Sequence, residues 1–397
     1  MKRAHGGILG YVSIVGAILL LFVGLAGLLA SWNAARPLID PTRRYSPSWL
    51  PAMVITELAP FWLLVHGALL VLGLAIGGGS NLGGLSGAWM IVASMMLLTV
   101  ILVRTTMSVR RLRRRVDGEV HGVSGRANLI GRPVPVPPGV TELLGVEWAD
   151  GLTCDITRPS GKDRALPVVV YVHGGGWTSG DPQRQGRDMY HALALAGWAT
   201  VAIRYPFTPT VSVERQIETV TSAVRWVRTA HAEHGIDATE VVLAGGSAGA
   251  HLAAMTALDA APHDRVAACI GLYGIYDMAN RNHCRARWDM IRNRVMMQTV
   301  ADAPARYDAV SPLCRITDES PPMLIVHGTR DTLVPIGEAE QFVAALREAG
   351  RPVEFVRVDG AQHAFDGVSS PLSRTVAAVI RTWVTTQVLG ERTVSAE

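Results

Sequence analysis

Gly245-Gly246-Ser247-Ala248-Gly249 follows the apolar run Glu240-Val241-Val242-Leu243-Ala244 and precedes the helix-like Ala250-His251-Leu252-Ala253-Ala254-Met255. This is the pattern of a nucleophile elbow. A serine hydroxyl reaches a carbonyl carbon only when it stands clear of the backbone on a tight strand-to-helix turn, and small flanking residues permit that turn without Cβ clashes. A chance run of small residues opening a helix would look the same in isolation, so the weight rests on what stands upstream and downstream.

Upstream, Pro167-Val168-Val169-Val170-Tyr171-Val172 reads as a buried strand running into His173-Gly174-Gly175-Gly176-Trp177, an HGGG-type loop. Acyl transfer builds negative charge on the former carbonyl oxygen, and a glycine loop lets backbone N–H groups approach that oxygen closely. Downstream, Met323-Leu324-Ile325-Val326-His327-Gly328 reads as another strand, followed by Thr329-Arg330-Asp331-Thr332-Leu333-Val334-Pro335, where Asp331 is the candidate acid. Val353-Glu354-Phe355-Val356-Arg357-Val358 is followed by Asp359-Gly360-Ala361-Gln362-His363-Ala364-Phe365, which places His363 on a loop past the last strand.

With these motifs, residues from roughly 140 to 390 resemble an esterase of the hormone-sensitive-lipase-like branch of the α/β-hydrolase superfamily, whose triad runs Ser, Asp, His along the chain. The resemblance implies Ser247 as nucleophile, His363 as general base and acid, Asp331 as orienting carboxylate, and an oxyanion hole from the N–H groups of Gly175, Gly176 and Ala248. It implies a carboxylic ester hydrolase working through an acyl-enzyme, with no metal or organic cofactor. Gly180-Asp181 also matches, whereas Arg204-Tyr205-Pro206-Phe207 stands where the family often shows Asp-Tyr-Arg, a departure that bears on loop packing.

Other groups compete for these roles. His251 lies inside the helix four residues past Ser247, with its side chain directed along the helix, and His173 and His327 end strands beside glycines, where bracing a loop is the expected role. Asp277 follows the strand-like 266–273 and is the rival acid; Asp331 is preferred because Asp-x-x-Val-Pro after an apolar strand is the family's usual acid loop.

At 397 residues the chain exceeds a usual single domain, and the excess is at the front. Residues 8–30 are apolar or small with no charge, and at about 1.5 Å per residue they can cross a hydrocarbon core of roughly 30 Å. Further apolar stretches cover 58–77 and 87–103, the latter flanked by Trp89 and Arg104 as interfacial anchors. The expected organisation is a three-helix transmembrane anchor over 1–115, a Gly- and Pro-rich linker over 116–140 containing Pro133-Val134-Pro135-Val136-Pro137-Pro138, and a hydrolase domain over 141–397. A cleavable signal peptide fits the first stretch poorly, because it is long, lacks a small-x-small site and precedes two more apolar stretches. Gly73-x-x-x-Gly77 permits close helix packing, and His66 in the second stretch is expected to be neutral and hydrogen-bonded.

The amino terminus carries Lys2 and Arg3, while Arg36, Arg43, Arg44, Arg104, Arg110, Arg111, Arg113, Arg114 and Arg115 share the other side of three spans, nine cations against two. The positive-inside rule then makes this a multi-pass integral membrane protein with a cytoplasmic hydrolase domain. Residues 1–115 hold eleven Lys or Arg and two Asp or Glu, leaving 26 basic and 31 acidic residues in the remainder, so the basic balance belongs to the anchor and points to a lipid bilayer rather than to nucleic acid. The run 110–115 serves either as a topology signal or in headgroup recognition. Cys154, Cys269, Cys284 and Cys314 have neither zinc spacing nor the density of a disulfide framework and read as reduced thiols.

Strands over 143–150, 152–158 and 167–172 and helices over 189–196, 213–232 and 337–350 give the alternation of a doubly wound, mostly parallel sheet, an α/β fold preceded by an all-α transmembrane region. Residues 280–306, with Trp288, Met290, Met296 and Met297, interrupt it, either as a lid over an acyl pocket or as packing helices. The substrate implied is a small-molecule or lipid ester. A related serine hydrolase cutting a formamide or peptide bond, and a catalytically silent membrane scaffold, are the other readings, and the sequence leaves the oligomeric state open.

Overall fold

The computed structural model describes residues 2–36, 48–116, 135–161, 165–229, 234–285 and 289–390. One eight-stranded sheet organises the C-terminal part: β1 Val140–Ala149, β2 Leu152–Pro159, β3 Leu166–Val172, β4 Ala199–Ile203, β5 Ile236–Gly246, β6 Ala268–Leu272, β7 Met323–Gly328 and β8 Val353–Val358. Their order is β1-β2-β4-β3-β5-β6-β7-β8. β1 and β2 pair antiparallel, β2 meets β4 antiparallel, and all pairings from β4 through β3 to β8 are parallel. β4, β6 and β7 are buried at every position, which explains their unbroken apolar runs: a parallel strand covered by helices on both faces has no polar side.

The helices divide between the two faces. Val213–Thr229, Ala248–Leu258 and Gly337–Glu348 cover one, where Val220, Val224 and Leu252 pack over β3 and β5 and Phe342 lies toward β7 and β8. Arg187–Leu195 and Pro371–Val384 cover the other with Leu193, Leu372, Val376 and Ile380. The helices expected over 189–196, 213–232 and 337–350 lie within one or two residues of these where described; residues 230–233 fall outside the described set. Of the linker expected over 116–140, residues 117–134, Pro133 and Val134 among them, fall outside the described set. All four cysteines are unpaired, as expected for reduced thiols.

Among the described residues four α-helices precede the sheet: α1 Lys2–Ala35, α2 Trp49–Glu57, α3 Ala59–Ala75 and α4 Leu82–Arg113. α1 and α4 are each long and apolar enough to cross a membrane, and α2 with α3 would make a third, broken span, bent by 84°. The expected spans at 8–30 and 87–103 thus sit inside longer helices, and 58–77 is α3 without the perpendicular α2. The small residues are used where helices meet: a Cβ on Gly87 would lie 2.4 Å from the Leu20 carbonyl carbon, and one on Gly73 would strike the Leu20 side chain. Packing at this closeness is what small residues supply between apolar helices, where no hydrophobic force acts between spans. His66 has Nδ1 2.7 Å from the Trp62 carbonyl oxygen and is buried against Gly27, matching a packing role.

At about 1.5 Å per residue, α4 runs about 48 Å, longer than a hydrocarbon core of roughly 30 Å. Its last turns pack on the second face of the sheet, where Val109 and Leu112 are buried; Arg111 pairs with Asp359, and Arg115, just past the helix, pairs with Glu354. Two arginines of the run 110–115 thus pair, at the surface, with carboxylates on β8 and in the turn after it.

Candidate active site

β5 delivers Ser247 to the carboxyl edge of the sheet. Its backbone has φ 55° and ψ −119°, a conformation rare for a residue with a side chain and held here by the strand before it and the helix that opens at Ala248. The turn is tight enough that a Cβ on Gly249 would sit 2.0 Å from the Val172 carbonyl oxygen, so glycine there is a steric requirement.

The structure brings the three side chains named from the sequence together. His363 Nε2 lies 2.9 Å from Ser247 Oγ, and His363 Nδ1 lies 2.7 Å from Asp331 Oδ2. A carboxylate only accepts, so Nδ1 carries the proton and Nε2 presents its lone pair to the serine hydroxyl. Asp331 Oδ1 accepts from the backbone N–H of Leu333 at 2.9 Å and of Val334 at 2.7 Å. Burial raises the Asp331 pKa, but attraction to His363 and bonds from His327 and His363 outweigh it and hold the carboxyl at about 2. It stays ionised across the neutral range although it is 1% exposed.

Ser247 and His363 open into a cavity of about 530 Å³ lined also by Gly175, Gly176, Trp177, Met290, Leu333 and Trp49. The glycine loop reaches the serine closely: a Cβ on Gly174 would be 3.1 Å from the Ser247 Cβ. Gly175 has φ 135° and its Cβ position is occupied by the Ser179 carbonyl oxygen at 1.8 Å, so this loop is built only with glycine. Ala248 is buried at the first turn of its helix, directly after the serine.

The chain is similar to known proteins in sequence and in fold. Residues 154–346 match the BD-FAE family model. Esterase LipQ of Mycobacterium tuberculosis is 33% identical over 260 residues, 62% of this chain and 60% of that protein. Esterase LipC of the same organism is 34% identical, covering 51% of this chain and 54% of that protein. The match thus spans little more than half the length of these relatives. A thermophilic esterase, Est2 of Thermogutta terrifontis, superposes with a TM-score of 0.53 at 26% identity over 65% of this chain and 96% of that one. A carbohydrate esterase from gut microbiota shares the fold, with a TM-score of 0.57 at 20% identity over 63% of this chain and 96% of that one. In sequence and in fold the chain resembles esterases built on the α/β-hydrolase fold.

In this α/β-hydrolase the competing groups have other partners. His251 Nδ1 accepts from the Trp177 indole at 3.1 Å and Nε2 donates to the Val310 carbonyl at 2.8 Å, and burial pushes its pKa down to about 4, so both nitrogens of a neutral ring are used. Burial likewise brings His173 down to about 4; its Nδ1 lies 2.8 Å from the Gly174 carbonyl oxygen, at the start of the glycine loop. His327 Nε2 lies 2.8 Å from the Val334 carbonyl oxygen and braces the acid loop. Asp277 accepts from the backbone N–H groups of Ala279 and Arg281 and pairs with the Arg281 guanidinium.

The departure at Arg204-Tyr205-Pro206-Phe207 is absorbed locally. Arg204 grips Asp155 with two bonds of 3.0 and 2.9 Å, and the Tyr205 hydroxyl donates to the His173 carbonyl while its ring stacks on the His173 imidazole at 4.5 Å. The hydrolase also uses residues that no motif announces. Gln185 Oε1 accepts from the Gly174 N–H at 2.8 Å and so fixes the glycine loop. Met290 reaches the cavity from the 280–306 segment, where Met296 is buried and Met297 exposed; Trp288 lies outside the described residues. Trp49 comes from α2, ahead of the sheet, and lies edge-on to His363 with ring centroids 5.6 Å apart.

Proposed function

We propose that this protein is a membrane-anchored serine carboxylesterase that hydrolyses carboxylic esters through an acyl-enzyme. The observation that carries the reading is the unbroken chain from Asp331 through His363 to Ser247, at 2.7 and 2.9 Å, opening into an apolar cavity beside a glycine loop. Ser247 Oγ adds to the ester carbonyl as His363 Nε2 takes its proton, while Asp331 holds the ring and offsets the charge it gains. Backbone N–H groups of Gly175, Gly176 and Ala248 stabilise the oxyanion. His363 then protonates the departing alkoxide, and a water repeats the cycle on the acyl-enzyme. The esterases among the relatives support the ester assignment, as do the structures of Est2 with propionate and with butyrate bound.

The anchor occupies residues 1–115, with the hydrolase unit following over 141–397. α1 and α4 run alongside each other in the same direction, with Gly87 against the Leu20 backbone and Ser94 Oγ 3.1 Å from Ser31 Oγ further along, and α3 packs on both. Three crossings place the amino terminus opposite the hydrolase, and the nine cations on the hydrolase side favour the cytoplasm for it.

The test is a fluorophosphonate probe on the full-length protein, followed by a panel of p-nitrophenyl esters, formamides and aminoacyl anilides. Labelling at Ser247 that is lost in S247A, with turnover confined to the esters, is the expected result. Labelling with turnover of formamides or anilides alone would move the assignment to another acyl bond, and no labelling would leave a silent scaffold.

A further inference from the structure

The cavity beside Ser247 is not closed by the hydrolase alone. Trp49 lines it and meets His363 edge-on, yet Trp49 is the first residue of α2, on the anchor side of the residues outside the described set. Two further contacts fix this end of the anchor against the active-site loops. Ser370, which caps the helix Pro371–Val384, donates to the Glu57 carboxylate at the far end of α2, and Arg330, the neighbour of Asp331, donates to the Ala35 carbonyl at the end of α1. The cavity therefore lies at the level where the apolar helices end. α2 turns 84° from α3, so it runs along that level rather than through it, with Leu50 about half exposed beside Trp49. The apolar lining also includes Trp177, Met290 and Leu333, and about 530 Å³ is far more room than an acetyl group occupies.

Resting on the esterase reading, we infer that Trp49 is a specificity-determining residue of the anchor, forming the wall against which the apolar chain of a bilayer-partitioning ester packs. A short acyl group would leave that wall unused, while a chain of about ten carbons would cover it. Trp49 also touches His363, so its loss can slow every substrate; selection by chain length is what a purely supporting role would not produce.

The experiment uses the full-length protein in phosphatidylcholine nanodiscs, with kcat/KM measured for p-nitrophenyl acetate and p-nitrophenyl decanoate. W49A is expected to lower the decanoate-to-acetate ratio about tenfold, or about 1.4 kcal/mol, and W49F to keep it within about twofold. An equal loss for both esters, or an unchanged ratio, overturns the inference. Should W49A lose fluorophosphonate labelling of Ser247 through misfolding, W49L and W49F are read instead: a ratio that falls in W49L and holds in W49F supports the assignment, and a common factor for both esters sinks it. Failure of the underlying reading is separately visible, because wild-type protein unlabelled at Ser247 would remove the esterase chemistry, and this inference with it, before any ratio is taken.

Discussion

Replacing Asp331 by Asn changes one atom and reverses the polarity of the site. Asp331 Oδ1 is held by two backbone donors, Leu333 N–H at 2.9 Å and Val334 N–H at 2.7 Å, while Oδ2 faces His363 Nδ1. An amide can satisfy the two backbone donors only with its carbonyl oxygen, which forces its NH2 toward His363. The imidazole must then present a lone pair at Nδ1 and carry its proton on Nε2, where it cannot accept the Ser247 proton. The same substitution in a serine protease triad lowers kcat by roughly 10⁴, about 5.5 kcal/mol, and a loss of that order is expected for D331N. The assay is p-nitrophenyl butyrate hydrolysis by full-length protein, with circular dichroism to show that the fold is retained. D277N, whose carboxylate serves Arg281 and two backbone amides, is expected to lose less than about tenfold. A D331N enzyme within tenfold of wild type, or a D277N enzyme more impaired than D331N, would refute the assignment of the acid.

Asp331 also sets a pH dependence of stability. Its folded pKa of about 2 lies below the ordinary value, so the stabilisation it brings is present above about pH 4 and is lost as pH falls toward 2; urea melts of wild type and D331N should show their difference constant above pH 4 and changing below it. G249A should cost about 3 kcal/mol or more, because the added methyl meets the fixed Val172 carbonyl, and the readout is loss of folded, probe-reactive protein. H251A should leave the Trp177 indole and the Val310 carbonyl without their partner and lower stability by about 1–3 kcal/mol in a melt, while losing far less activity than a change at His363.

The hydrolase half was legible because its chemistry is written in local patterns. A strand buried on both faces reads as an apolar run, and the turns at Ser247 and Gly175 accept so few residue types that the sequence displays them. Asp331 followed because it stands just past such a strand, and His363 because it stands just past the last one, which is the half-exposed Val353–Val358. Gln185 and Met290 carry no such mark, since their part in the site comes from folding a loop and an irregular segment over it. Trp49 was hidden for a stronger reason: 314 positions separate it from His363, and the short helix that holds it, with Pro51 inside and Pro60 just beyond, has no run long enough to read as a span. The extent of α4 was underestimated because its apolar stretch stops at the arginines. The helix continues to Arg113, since Val109 and Leu112 find a core to enter and cations suit a helix's carboxyl end.

The account stands most directly on a covalent intermediate at one hydroxyl. Full-length protein turning over p-nitrophenyl butyrate, quenched in acid and digested, should yield the peptide containing Ser247 with one butyryl group attached, and S247A should yield none. Steady turnover with the acyl group on a different residue, or with Ser247 unmodified at every quench time while a fluorophosphonate also fails to label it, would contradict it.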